Sequence, residues 1–239
     1  MGTLGTSFGS AAGDYVAGRP GYLPDAVAWL LADVTGAIAD VGAGTGKLTA
    51  EIASQGHPVT AVDPDPLMLE ALRATVPGVD IIAGQAESLP FAATSLGAVT
   101  FGQAWHWVDV PTASAEVGRV LRPGGVLGLI WNIRDESVDW VAAHGAAMGA
   151  SKAEAMVSGR DVVVNAPFGE LAEHQWRWEY PITPEGIRAM VRSRSYYIAG
   201  DDRARARTDA EVDEVLAEFG GTGTLLMPYV THAYRATAP

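Results

Sequence analysis

The residues with the clearest chemical potential are Asp40, Gly42, Gly44 and Gly46, within the run AIADVGAGTGK from Ala37 to Lys47. The run reads as a short apolar strand that ends in a carboxylate, then three glycines at alternate positions. A helix follows, with Leu48 and Ile52 on its apolar side, Glu51 and Gln55 on its polar side and Gly56 at its C-terminal end. Glycines at such a junction permit a tight reversal and close backbone approach to a ligand, and the helix behind them presents free N–H groups. Spacing then separates the possible ligands. A phosphate-binding P-loop needs GxxxxGK followed by Ser or Thr, but Val41 stands at its first glycine and Leu48 follows Lys47. The dinucleotide fingerprint GxGxxG would put its third glycine where Lys47 stands. A carboxylate two places before the first glycine sits poorly beside a pyrophosphate and well beside an ammonium, so DVGAGTG favours a cationic cofactor bearing an amino acid.

Further candidates fall at the ends of other apolar runs. Asp63 closes PVTAVDPDP roughly 20 residues past the first glycine, a spacing shared with dehydrogenases, where an acidic side chain accepts both ribose hydroxyls. Gln85, Ala86 and Glu87 follow the strand Asp80 to Ala83, at the end where open α/β sheets hold ligands. The buried strand Ala98 to Gly102 opens into Gln103, Ala104, Trp105, His106, Trp107, Val108 and Asp109. One reading makes this an active-site wall, with Trp105 or Trp107 beside the reacting centre and His106 facing the reaction. The other makes it two core aromatics and a satisfied histidine. On the first reading the imidazole takes a proton from an acceptor hydroxyl or amine near neutral pH, whereas carboxylate or phenolate acceptors need no base.

The elements that must position these residues alternate strand and helix. A helix starts at Pro24 with Val27, Leu30 and Leu31 on its apolar side, and Val59 to Val62 is the second strand. Asp65 and Pro66 read as the N-cap and first residue of a helix through Leu72. Pro111 to Leu121 is the next helix, RPGG a turn, and Val126 to Trp131 the fifth strand. Beyond it, 138–148 reads as helical, 149–169 as a loop and QWRWEY as a strand. Thr183 and Pro184 start another helix, Thr208 and Glu211 form a capping box for one through Leu216, and Thr224 to Tyr234, interrupted at Pro228, is the last strand. From the pattern alone the sheet is mixed.

With these motifs in place, the chain resembles the class I S-adenosylmethionine-dependent methyltransferases, whose first motif is an acidic residue, x, then GxGxG. GQAESLPF, QAWHWVD and EVGRVLRPGGVLGLIWN look like later motifs of the same family, so the resemblance covers about residues 8 to 132. The RSRSY and LLMPYVTHAYRA segments are similar to the methyltransferase type 11 subgroup, which includes relatives of trans-aconitate methyltransferases. The resemblance implies an α/β fold with a Rossmann-like doubly wound mixed sheet, mostly parallel with an antiparallel last strand, and helices on both faces. It implies a single domain over 1–239, with an N-terminal cap (1–35), a cofactor-binding core (36–132), an acceptor-side elaboration (133–210) and a last helix and strand (211–239). S-adenosylmethionine is the implied cofactor. Gly42 and Gly44 would meet its methionine end, Asp40 its ammonium directly or through water, Asp63 its ribose, and Ala86 through its backbone, with Glu87, its adenine; Ala43, Gly46, Pro64, Met68 and Gln103 complete the implied cofactor set. Relatives often carry an acid at position 85, so Gln85 is a departure, with Glu87 as substitute at the adenine amino group. Tyr15 and Arg19 belong to a segment, 8–22, that folds over the cofactor as a lid in similar enzymes; Arg19 is a candidate for the methionine carboxylate, and a surface turn at Pro20 and Gly21 is the plainer alternative. The implied partner is a small-molecule acceptor walled by Trp105, Trp107 and Trp131, with His106 as the catalytic candidate, in a monomer or homodimer.

Composition narrows the classes further. With 28 acidic against 16 basic residues, the formal charge of −12 repels phosphate backbones and disfavours nucleic acid as a partner. The one basic cluster, Arg188, Arg192, Arg194, Arg203, Arg205 and Arg207, reads as a solvated helix face or a lid. Without cysteine there is no disulfide, thiolate chemistry or cysteine zinc site, and the five histidines show no metal spacing. No run has the length or flanks of a signal peptide or membrane span, so a cytoplasmic protein without a membrane partner is expected. A nicotinamide-dependent oxidoreductase is the first rival and would need GxGxxG; a binding protein on the same scaffold is the second. Residues 135–210 carry no chemical motif that names an acceptor.

Overall fold

The computed structural model describes residues 19–148, 151–220 and 223–239. In chain order the elements are α1 (Pro24–Leu30), β1 (Ile38–Val41), α2 (Lys47–Ser54), β2 (Val59–Asp63), α3 (Pro66–Thr75), β3 (Asp80–Ala83), β4 (Leu96–Gly102), a 3-10 turn (Trp105–Trp107), α4 (Val110–Val120) and β5 (Leu121–Arg134). They continue with α5 (Asp139–Met148), α6 (Lys152–Ser158), β6 (Ala172–Ile182), α7 (Pro184–Arg192), α8 (Ser195–Ala199), α9 (Asp202–Val215) and β7 (Leu225–Thr237). The seven strands form one sheet in the order β3-β2-β1-β4-β5-β7-β6. β1 to β5 pair in parallel, while β7 runs antiparallel to both β5 and β6. This is the mixed, doubly wound sheet that the sequence resemblance implies.

The parallel strands are continuous apolar runs because both faces are covered. All four residues of β1 are buried, and the period of two sends Ile38 to one face and Ala39 and Val41 to the other. On the first face, Ile38, Ala98, Val126 and Ile130 meet Ala26, Val27 and Leu30 of α1 and Leu48 and Ile52 of α2. On the second, Val99, Phe101, Leu127, Leu129 and Trp131 meet Ala113, Val117 and Val120 of α4 and Ala153 and Val157 of α6. A separate apolar cluster unites α5, α7 and α9 with the ends of β6 and β7 through Val141, Ile182, Ile187, Met190, Val212 and Tyr229.

Local rules place most boundaries. Asp65 accepts from the Leu67 N–H and Asp109 from the Thr112 N–H, with Pro66 and Pro111 in the first turns of α3 and α4. Thr183 caps α7 through the Gly186 N–H. Three expectations change. Thr208 is not a cap: α9 begins at Asp202, with Asp201 accepting from the Ala204 N–H, so Thr208 lies within the helix. Residues read as a loop after 149 contain α6, started by a capping box between Ser151 and Glu154. Pro228 does not interrupt β7, because β5 stops pairing at Arg134 opposite Tyr229 and the missing N–H has no ladder partner to lose on that side. β5 runs three residues past Trp131 because it keeps pairing with Thr231, Val230 and Tyr229 of β7, which carries Asn132 and Arg134 to the carboxyl edge of the sheet.

Candidate active site

A cavity of about 410 Å³ opens at the carboxyl ends of β1, β2, β4 and β5, where parallel α/β sheets bind ligands. It gathers Arg19, Asp40, Gly42, Ala43, Gly44, Asp63, Pro64, Met68, Gln85, Ala86, Glu87, Gln103, His106 and Trp107 from the sequence-predicted set. Tyr15 lies outside the described residues, as does most of the 8–22 segment expected to act as a lid. Arg19, Pro20 and Tyr22 border the cavity, and the Gly21 carbonyl accepts from Asn132 Nδ2 at 2.9 Å, which ties this segment to the end of β5.

The three glycines divide their work. All have positive φ, 69° at Gly42, 55° at Gly44 and 88° at Gly46. A Cβ on Gly44 would enter open space in the cavity, so the backbone there leaves room for a ligand. A Cβ on Gly42 would lie 2.6 Å from the Ala104 Cβ, which lets the loop after β4 close against the turn. Gly46 is a correction to the expected cofactor set. It does not line the cavity, and its Cβ would strike Val76 at 2.8 Å and Leu72 at 2.9 Å, so it serves the packing of α2 against α3.

Three carboxylates follow one another along the wall. Asp40 is fully buried, accepting from Thr49 Oγ1 at 2.6 Å and from Thr100 Oγ1 at 3.2 Å, its partner in the β1–β4 register. Burial lifts its pKa to about 7, the two hydroxyls pull it down and the charge of Asp63 lifts it again. Asp63 accepts from the Gly44 N–H at 2.8 Å and the Asp65 N–H at 2.9 Å. Those bonds lock the turn to the end of β2, while burial holds the Asp63 pKa above the ordinary carboxylate value. Glu87 accepts from the Asp109 N–H through Oε1 at 2.9 Å, and its Oε2 is buried with no partner among the described residues. Such an acceptor is costly unless a ligand donor reaches it.

The 3-10 turn corrects the aromatic wall. Trp105 is a core residue: it packs edge-on against Phe101 with centroids 4.8 Å apart, donates to the Val163 carbonyl and does not line the cavity. Trp131 is also fully buried outside the cavity, and its Nε1–H points to His106 Nδ1 at 3.4 Å. Trp107 alone of the three borders the cavity, with the Lys152 ammonium 4.9 Å above its ring. His106 borders it too. Burial, then the charges of Arg19 and Lys152, depress its pKa to about 3, so the imidazole is neutral throughout the physiological range. With Nδ1 accepting from Trp131, its proton is assigned to Nε2, and the remaining ring nitrogen is a donor.

Sequence reasoning missed Lys47 and the far wall. Lys47, at the first position of α2, borders the cavity; burial and then Arg19 lower its pKa. Its place directly after the glycine run was the available signal. Arg134, Lys152, Glu154, Met190, Arg194 and Tyr229 also border the cavity, from four separate stretches of chain with no shared motif. The supposed basic cluster is dispersed: Arg188 and Arg192 pair with Glu185, Arg188 also with Asp213, and Arg205 binds the carbonyls of Tyr197 and Ile198. Arg194 turns inward to Glu154. Among the described residues no cluster of His, Cys, Asp or Glu could hold a metal, and no helix is long and apolar enough to cross a membrane.

A glycine turn between β1 and α2, a carboxylate beneath it and a second at the end of β2 define a Rossmann-like enzyme site. The family model described as a methyltransferase domain matches residues 39–129. An uncharacterized methyltransferase of Mycobacterium bovis is 43% identical over 98% of this chain and 96% of its own length. An uncharacterized methyltransferase-like protein of Schizosaccharomyces pombe is 32% identical over 96% of this chain and 94% of its own. The chain belongs to the methyltransferase family. Among solved structures, a proposed type II methyltransferase from Anaeromyxobacter dehalogenans superposes with a TM-score of 0.68 at 23% identity, over 92% of this chain and 97% of that one. The [4+2]-cyclase SpnF shares the fold at a TM-score of 0.53 and 20% identity, over 93% of this chain and 85% of that one.

Proposed function

We propose that the protein transfers a methyl group from S-adenosylmethionine to a nucleophilic atom of a small-molecule acceptor. The observation that carries this is the row of carboxylates Asp40, Asp63 and Glu87 beside the open space at Gly44, with Glu87 Oε2 buried and unpartnered among the described residues. These groups match, in order, an ammonium, a pair of ribose hydroxyls and an exocyclic amine. Asp40, below the turn, takes the ammonium; Arg19 and Lys47 take the adjacent carboxylate. Asp63 keeps lone pairs for the ribose after its two backbone bonds. Pro64 and Met68 flank the sugar, and Gln85, Ala86 and Glu87 frame the adenine. When bound, the cofactor supplies a methyl carbon on a sulfonium sulfur, a leaving group that departs as a neutral thioether. The chain's part is to align the acceptor and exclude solvent, a positioning task worth several kcal/mol.

Calorimetric titration with S-adenosylhomocysteine and, separately, with NADH tests the reading. Binding of the first and not the second is expected, because Lys47 stands where a dinucleotide site needs its third glycine. Binding of NADH alone would overturn it.

A further inference from the structure

The half of the cavity opposite the carboxylates is cationic, in a chain whose formal charge is −12. Arg134, at the end of β5, and Arg194, just after α7, are both buried and both border the cavity, and exposed Lys152 stands at its edge over Trp107. The only carboxylate among the described residues of this wall is Glu154, and it is fully engaged. Its Oε1 accepts from Arg134 at 2.8 Å and Arg194 at 2.9 Å, and its Oε2 from Arg194 at 3.2 Å and the Ser151 N–H at 2.8 Å. Glu136 approaches Arg134 only at 3.5 Å and is half exposed outside the cavity. The buried Nε–H of each arginine finds no partner among the described residues.

Positive charge is therefore in excess: Arg134, Arg194 and Lys152, with Arg19 bonded to Ser193 beside them, face one buried carboxylate, Glu154, and the half-exposed Glu136. Burial and then the Arg194 charge lower the Arg134 pKa to about 10 despite Glu154, whereas against burial the charge and hydrogen bonds of Glu154 raise that of Arg194. His106 adds another donor if its neutral ring carries the proton on Nε2. Such a wall disfavours an ammonium-bearing acceptor, which would meet like charge, and gives a neutral alcohol nothing to balance the buried excess.

We propose that this wall is an anion subsite, and that the methyl acceptor is a small organic anion whose carboxylate or phosphate is held by Arg134, Arg194 and Lys152. The proposal rests on the methyltransferase reading above. The anion supplies the missing acceptors to both guanidiniums and restores neutrality opposite a cofactor that is itself cationic. Removing one guanidinium would leave Glu154 in a one-to-one pair, so Arg194→Met retains a balanced core while deleting half of the clamp.

The test uses protein saturated with S-adenosylhomocysteine and titrated calorimetrically with succinate, phenyl phosphate and benzylamine. One of the two anions should bind with a dissociation constant of about 1 mM or tighter, and benzylamine should not; whichever anion wins identifies carboxylate or phosphate as the recognised group. Arg194→Met and Lys152→Gln should each weaken that anion at least about tenfold, equivalent to 1.4 kcal/mol, with S-adenosylhomocysteine affinity unchanged. Lys152 is exposed, so its variant decides the matter if Arg194→Met does not fold. The proposal is overturned if neither anion binds, if the folded variants bind it as the parent does, or if benzylamine binds as tightly. Failure of S-adenosylhomocysteine itself to bind would strike the methyltransferase reading instead.

Discussion

The two halves of the cavity are built from opposite materials. The cofactor half stands on the ends of parallel strands and is lined by Asp40, Asp63 and Glu87; the far half draws Arg134, Lys152 and Arg194 from three different elements or their ends. In the first, each carboxylate accepts from hydroxyl or backbone donors: Asp40 from Thr49 and Thr100, Asp63 from Gly44 and Asp65, and Glu87 from Asp109. In the second, a single Glu154 holds β5, α6 and the segment after α7 together. The contrast teaches that the acidic wall comes from the loops at the ends of the parallel strands, whereas the basic wall is assembled from the extension of β5, from α6 and from the segment after α7.

The largest expected effect breaks the cofactor half alone. Gly44→Val puts side-chain volume into the ligand space at a positive φ and should abolish measurable S-adenosylhomocysteine binding in a protein that still melts cooperatively, since nothing in the fold lies within 4 Å of that Cβ. Retained affinity in calorimetry would dismiss the proposed cofactor position. Gly46→Val should instead unfold the chain, because Leu72 and Val76 occupy its space.

Asp63→Ala follows. Losing charge-assisted hydrogen bonds to the ribose should cost roughly 1.5 to 3 kcal/mol, about tenfold to a hundredfold in affinity. A loss below threefold would hand the ribose to another residue.

A pH titration sharpens the comparison further. With its pKa near 7 in the free protein, Asp40 must shed a proton to receive an ammonium, so S-adenosylhomocysteine affinity should fall as pH drops below 7, approaching tenfold per unit. In Asp40→Asn that dependence should vanish along with most of the affinity. Stability runs the other way. The folded pKa lies above the ordinary value of 3.8, so the native state holds the proton more firmly, and this group's contribution is lost as pH rises from about 4 through 7. At and above neutrality, Asp40→Asn should therefore be more stable than the parent in urea, by up to about 4 kcal/mol.

The smallest effect concerns His106. A neutral imidazole with a depressed pKa gives turnover no acidic limb near 6.5, and nitrogen NMR should report the Nε2–H tautomer. His106→Gln, which keeps a donor, should stay within about tenfold of the parent, less than the 10²-fold or more that loss of a general base removes. An acidic limb that disappears in the variant would restore the base.

Legibility in the sequence followed the same division. The cofactor half was readable because Asp40, the glycines and Asp63 sit in contiguous runs whose strand ends fix their positions. The far half was not, since Arg134, Glu154 and Arg194 meet only after β5 extends along β7 and α6 forms in what reads as a loop. The tryptophans misled for a related reason. A strand end specifies that a residue is near the site, but the 3-10 turn decides which of Trp105, His106 and Trp107 looks outward, and its rotation is set by packing against Phe101 and Val163. The capping box at Thr208 failed because Asp201 offers a competent cap a turn and more earlier.

The close approach of Gly42 to Ala104 gives the turn a form of bookkeeping between distant positions. With hypothetical and real β-carbons only 2.6 Å apart, the two sites share room for one methyl group. Substitutions there are coupled: Gly42→Ala is tolerable in volume only beside Ala104→Gly, and what the pair still loses is the cost of a left-handed backbone at position 42, about 1–2 kcal/mol. The turn at the end of β1 and the segment after β4 therefore constrain each other's side-chain volume directly.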